Sequence, residues 1–258
     1  MTRSFAKLSP FALALLLSAC SESSSGGMTF LGSGQAGTVT VQLYTDTQLQ
    51  TGLSPVYAKL IDASGAGITV AVVSFAPTMT MTGGGTHTAP VVGPVTLNNQ
   101  YLFQDYIVFP MPSGTTGSWS MKVHVQLPGQ AAAFANFPSL PVAASGNAAT
   151  FASGTTNYLL SMNLKSPAIV GQNPIAVTLF STADSGMTWA AIDNGTFVLL
   201  PCVPSASHCS AGSVNPTLVR NGLYGGSLNF DRSGSWVTTV QASQAGTRLG
   251  DGTFATSF

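Results

Sequence analysis

Charge is what this chain has least of. Only 6% of its 258 residues are Asp, Glu, Lys or Arg, against about 25% in an average soluble domain. Glu22 is the single glutamate and the aspartates are scattered, so no pair of carboxylates stands out for acid–base hydrolysis. Eight basic residues balance eight acids, which leaves no basic face for a nucleic-acid partner. Histidines number three and none has an acid beside it in sequence, so a Ser-His-Asp relay has nothing to recommend it. The glycines punctuate strands rather than opening helices, and no phosphate-cradling or dinucleotide fingerprint forms. No apolar run reaches the roughly 20 residues of a membrane-spanning helix, and no long period of 3.6 follows residue 20. These absences point to binding rather than catalysis, on a fold poor in helix.

The N-terminus carries the clearest positive signal. Arg3 and Lys7 precede the apolar run Phe11–Leu17, which is followed by Ser18, Ala19 and Cys20. A basic segment, a short apolar segment and small residues make a secretory signal. Leu17-Ser18-Ala19-Cys20 resembles a lipobox, which implies cleavage before Cys20 and acylation of it. Several acyl chains anchor firmly, because each buried methylene adds roughly 0.8 kcal/mol. Ser21 stands where an aspartate is associated with inner-membrane retention, so the expected location is the outer membrane, facing the periplasm or the cell surface. Without Arg3 and Lys7 the mature chain has six basic and eight acidic residues, a charge near −2. Ser21–Gly27 has the makeup of a flexible tether, extending to about Gly37 with an apolar interruption at Met28–Leu31.

Beyond the tether the sequence repeats itself. Ser54-Pro55-Val56-Tyr57 corresponds to Asn173-Pro174-Ile175-Ala176, and the stretch Ala76–Met81 with His87 corresponds to Leu200–Ser205 with His208. Tyrosine-bearing strands at 101–109 and 223–230 lead to Gly117-Ser118-Trp119 and Gly234-Ser235-Trp236. Short β-branched and aromatic runs alternate between Gly, Pro, Asn and Asp. About 100 residues per copy suits an antiparallel immunoglobulin-like sandwich with each tryptophan in its core. The expected fold is therefore all-β: two tandem immunoglobulin-like β-sandwich domains after a lipoprotein signal and tether. Its expected boundaries are 1–19 signal, 20–37 lipidated cysteine and tether, 38–128 first domain, 129–156 linker rich in Ala, Ser, Gly and Pro, and 157–258 second domain.

This pattern resembles the YtkA-like family of small extracytoplasmic sandwich domains, a relative of the FixH type. The resemblance rests on Gly171-Gln172-Asn173-Pro174, Pro204–His208, Gly222-Leu223-Tyr224 and Gly234-Ser235-Trp236 in the second copy. In the first copy it rests on Met79, Met81, His87 and Gly117-Ser118-Trp119, so that it covers most of 38–245. It implies a role near copper and heavy-metal handling proteins.

The candidate metal ligands are Met79, Met81 and His87, with Met111 as a further sulfur. Met79 and Met81 are two apart and share one face of a strand, and His87 lies across the Gly83–Gly85 run. Two thioethers and an imidazole form a soft set suited to Cu(I). The same residues also serve as adaptable core filler and a loop histidine capping a backbone group. His124 alternates with Trp119, Met121, Val123 and Val125 and is expected to face solvent. The second copy has Cys202, Val203 and Ala206 in place of methionines, and Cys209 after His208. In an oxidising envelope Cys202 and Cys209 are most simply a disulfide, with a Cys-His-Cys metal site as the sharper reading. The expected function is soft-metal binding, or an accessory role beside a metal-transport or other envelope protein. The alternative is a structural, protein-interaction or adhesion module without metal.

Overall fold

The computed structural model describes residues 27–258. The expected signal, Cys20 and the tether up to residue 26 lie outside the described residues. In the first copy the strands are β1 Thr29–Ala36, β2 Val39–Thr45, β3 Gly52–Ile61, β4 Gly67–Ile68 and β5 Val72–Met81. They continue with β6 Thr86–Thr88, β7 Thr96–Leu97, β8 Phe103–Phe109, β9 Gly117–Gln126 and β10 Ala133–Leu140. The second copy has β11 Ala148–Ser153, β12 Thr156–Leu164, β13 Gly171–Thr182, β14 Ala190–Ala191 and β15 Gly195–Val203. It ends with β16 His208–Cys209, β17 Val214–Arg220, β18 Leu223–Phe230, β19 Ser235–Gln244 and β20 Thr247–Ser257. The one helical turn among the described residues is Pro204–Ala206.

The two copies share one topology. A six-stranded sheet β1-β2-β3-β8-β7, with β4 on β3, faces a four-stranded sheet β10-β9-β5-β6. The second copy repeats this as β11-β12-β13-β18-β17, with β14 on β13, facing β20-β19-β15-β16. Every named pairing is antiparallel. Alternation drives the packing: along β9, Trp119, Met121, Val123 and Val125 are buried while their neighbours face outward. Each tryptophan of the Gly-Ser-Trp motifs lies in its own core, Trp119 edge-on to Phe109 and Trp236 beside Phe230. Gly52-Leu53-Ser54-Pro55 and Gly171-Gln172-Asn173-Pro174 occupy the same register against β8 and β18. Ser54 bonds both the N–H and the carbonyl of Gln50, and Asn173 does the same at Ile169.

Two expected boundaries move. Thr29–Ala36, placed in the tether, is the edge strand β1, and residues 129–156, placed as a linker, contain β10 and β11. The small residues that read as linker let sheet edges meet closely. A Cβ on Gly34 would stand 3.1 Å from that of Ala135 on β10, and Gly250 on β20 has no room for one beside the Phe151 ring of β11. The true connection is residues 141–147, and it is bonded on both sides. Ala143 donates to the Leu49 carbonyl, Ser145 to the Thr51 carbonyl (2.7 Å), and Met162 to the Asn147 carbonyl.

A third apolar cluster joins the domains. Leu53, Val92 and Val108 of the first meet Leu159, Ala176, Phe180 and Leu223 of the second. Apart from Val92, which lies in the loop between β6 and β7, these residues lie on the outer faces of the two six-stranded sheets, opposite to the core-facing positions of the same strands. The seam uses different positions in each copy. Leu53 and Val108 correspond in register to Gln172 and Asn229, while Leu159 and Phe180 correspond to Thr40 and Ile61.

Candidate functional site

The proposed soft ligands gather at one end of the first sandwich, but packing already employs them. Met79 is 0% exposed, its methyl group close over Gly117 and its side chain in the core with Trp119. Met81 and Met111 are partly buried against the same core, and the Met111 carbonyl accepts the Trp119 indole N–H at 2.9 Å. His87 is the register partner of Met79 across β5 and β6. It does not fold back over the methionines from a free loop; it sits on an edge strand that docks against the second domain.

That docking is specific. The Thr88 N–H donates to the Gly186 carbonyl at 2.9 Å, and its hydroxyl to the Met187 carbonyl at 2.9 Å. The Trp189 indole donates back to the Thr88 carbonyl at 3.0 Å. Gly186 adopts φ +88, and a Cβ there would lie 2.9 Å from Nδ1 of His87, so the imidazole packs on a position that only glycine fits. Asp184 shapes this loop, accepting from the Thr182 and Thr188 hydroxyls and from the Met187 and Thr188 N–H groups. Those hydroxyl bonds, Thr182 first, hold its carboxyl well below the usual range despite some desolvation. Further along the seam, the Asn221 amide donates to the Val92 carbonyl at 2.8 Å, and Leu53 and Asn163 exchange bonds through the Leu53 N–H and carbonyl.

In the second copy, Cys202 and Cys209 form a disulfide. They are register partners on β15 and β16, the place held by Thr78 and Thr88 in the first copy. His208 faces Val203 as His87 faces Met79, yet its ring meets the Asp231 carboxylate and, at 3.2 Å, the Arg232 guanidinium. Desolvation pulls the Asp231 carboxyl up, but bonds from Arg232 and His208 outweigh it and hold it low. Among the described residues no three of His, Cys, Asp or Glu converge as a metal site. His124 lies half-buried on the outer face of β9, its ring against Phe134.

Sequence reasoning missed Trp189, the tryptophan outside the repeat, and the Thr88–Gly186 contact it completes. It also passed over the outward tyrosines of the first domain, although the alternation of β2 and β3 fixes their direction.

No family model and no curated protein matches the chain. Among solved structures, it is similar to the Escherichia coli adhesin FdeC at 16% identity and a TM-score of 0.29, over 88% of this chain and 65% of that one. It is also similar to red sea bream transglutaminase at 10% identity and a TM-score of 0.24, over 86% of this chain and 31% of that one. The chain thus spans just under two thirds of the adhesin chain, and at these scores neither likeness bears on activity or partners.

Proposed function

We propose that this chain is a non-catalytic, lipid-anchored envelope protein whose two fused sandwiches act as one interaction or adhesion module, without a resident soft metal. The seam carries this reading. Domains joined only by a linker move independently, whereas these share a buried apolar cluster and a set of interlocking bonds. Such a body holds its outer faces in fixed relation. Acylation at Cys20 would leave nine residues to Thr29, a reach of at most about 30 Å. The same seam employs His87, and Cu(I) binding would require Met79 to leave the core it helps to fill.

The discriminating measurement is Cu(I) titration of the mature chain without its lipid, residues 21–258, against a calibrated chelator. No competition for Cu(I) is expected. One tight equivalent, lost on combining Met79→Leu, Met81→Leu and His87→Ala with folding intact, overturns the metal-free reading in favour of a copper-binding lipoprotein. The anchor is tested separately by palmitate labelling of the full chain, which Cys20→Ser should abolish.

A further inference from the structure

The seam between the domains has a direction. At one end the Thr88 edge and Val92 of the first domain meet Gly186, Trp189 and Asn221 of the second. At the other end Asn163, near the close of β12, bonds Leu53 on β3. Beyond β3 the first domain continues through β2 to β1, and beyond Asn163 the second continues into the loop of residues 165–170. Thr29 pairs with Thr45, whose hydroxyl donates to the Pro55 carbonyl, so strand spacing and rise place Thr29 about 15 Å from Leu53. The start of β1 and the 165–170 loop therefore lie on one side of the fused body.

That loop is apolar at its tip and bonded from within. Ile169 is 59% exposed and Val170 55%, while Ala168 beside them packs on the second core. The buried Asn173 holds the tip from inside: its Oδ1 accepts the Ile169 N–H at 2.8 Å, and its amide donates to the carbonyls of Ile169 (2.8 Å) and Gly171 (2.7 Å). At the base of the loop the Lys165 N–H donates to the Pro174 carbonyl at 3.0 Å. Where the second copy has Ile169 and Val170 the first has Gln50 and Thr51, which meet Ala143 and Ser145 of the connection. The fold does not require two exposed aliphatic side chains here.

Adjacent exposed aliphatic residues mark a contact with a protein or a membrane. Three features favour the membrane. The Ile169 backbone already has its partners, as a group entering an apolar phase requires. Lys165, exposed at the base of the loop, supplies a cation on a long apolar stem, which suits the headgroup level; the acid at this end of the sandwich, Asp231, is engaged by His208 and Arg232. The third is chain length. Nine residues lead from Cys20 to Thr29, a reach of at most about 30 Å, so lipid on Cys20 keeps this side of the body next to the bilayer. Two aliphatic side chains hold a free protein only weakly, but a short tether makes the contact intramolecular.

We infer that the 165–170 loop is a second membrane contact: Ile169 and Val170 dip into the bilayer that carries the Cys20 acyl chains, with Lys165 at the headgroups. The contact fixes how the fused sandwiches stand on the surface. This rests on the lipid-anchor part of the proposed function and adds an orientation to it. The test couples Cys20 of residues 20–258, the free thiol beside the Cys202–Cys209 disulfide, to a maleimide phospholipid. The vesicles are phosphatidylethanolamine and phosphatidylglycerol with brominated acyl chains. In Val170→Trp the added tryptophan emission is expected to shift to the blue and to be quenched by the bromines, and adding Ile169→Asp is expected to abolish both effects. Val72→Trp, at the far end of the first sandwich where Val72 is 69% exposed, is expected to stay unquenched. Near-UV circular dichroism checks the fold of each variant. In the unaltered protein, amide exchange at Ala168 and Val170 should slow on coupling to vesicles, a readout that needs no variant. The inference is overturned if Val170→Trp emits as in water, which points the tip to a protein partner instead, or if Val72→Trp is quenched as strongly. A full chain that takes up palmitate while Val170→Trp stays in water overturns this inference alone. A full chain that takes up none overturns the anchor and the inference together.

Discussion

Asp105 is a buried acid with one oxygen served and one not. Its Oδ1 accepts the backbone N–H groups of Gly93 (2.9 Å) and Tyr106 (2.8 Å), while Oδ2 has no partner. Burial pushes the carboxyl above its usual range; the two N–H bonds and the Arg220 charge pull back less strongly. A folded pKa raised above the unfolded one gives stability that is fully present below about pH 3.9 and lost as pH rises through the folded pKa. Asp105→Asn, which keeps the accepting oxygen without the charge, is therefore expected to raise Tm at pH 7. The gain should be about 2–4 °C, the shift of roughly 1 kcal/mol in a chain of this size, and it should vanish near pH 3.5. Equal Tm values at both pH values would refute the account. The second copy has Gly226 at this register position, so the acid belongs to the first domain and not to the fold. His87 and His208 make the same point: one register position, one ring packed on Gly186 and the other on Asp231.

At the level of elements, the central strands were legible and the edges were not. Alternation and the paired Gly-Ser-Trp motifs mark β9 and β19, and with them the duplication, because a strand buried on one face must alternate. Strands β1, β10 and β11 escaped because Gly and Ala weaken the apolar signal where two sheet edges crowd together. The β15–β16 hairpin was readable through its cysteines, since an oxidising compartment favours their pairing. Replacing both Cys202 and Cys209 by Ser should cost about 2.5 kcal/mol through loop-closure entropy. Urea unfolding measures it, and reducing the unaltered protein should give the same loss. A variant as stable as the parent would show the bond to be dispensable.

For the whole molecule, the seam decides whether two domains behave as one. Its sequence signature was present: Ile107-Val108-Phe109 and Tyr158-Leu159-Leu160 are buried at consecutive positions, which a sheet with one wet face does not allow. Reading such runs as ordinary core strands hides the interface, because periodicity does not say what covers the second face. Trp189 is where the seam can be cut, being the residue that both packs against Gly186 and bonds Thr88. Trp189→Ala is expected to remove on the order of 2 kcal/mol of coupling and to split a single thermal transition into two. A single transition of unchanged Tm would rule out the coupled body.

The asymmetry of that seam also bears on whether the contact can repeat. A head-to-tail contact between like units can propagate without end, and arrays of repeats remain soluble by ending in polar caps. Here the first domain spends its apolar patch of Leu53 and Val108 on the second, which offers Gln172 and Asn229 at those positions to anything that follows. Approached from the other side, the first domain presents Thr40 where its partner uses Leu159 and keeps an apolar Ile61 where its partner uses Phe180. The duplication that built the pair thus did not copy its contact, and the first domain's half of the seam has no apolar counterpart at Gln172 and Asn229 of the second.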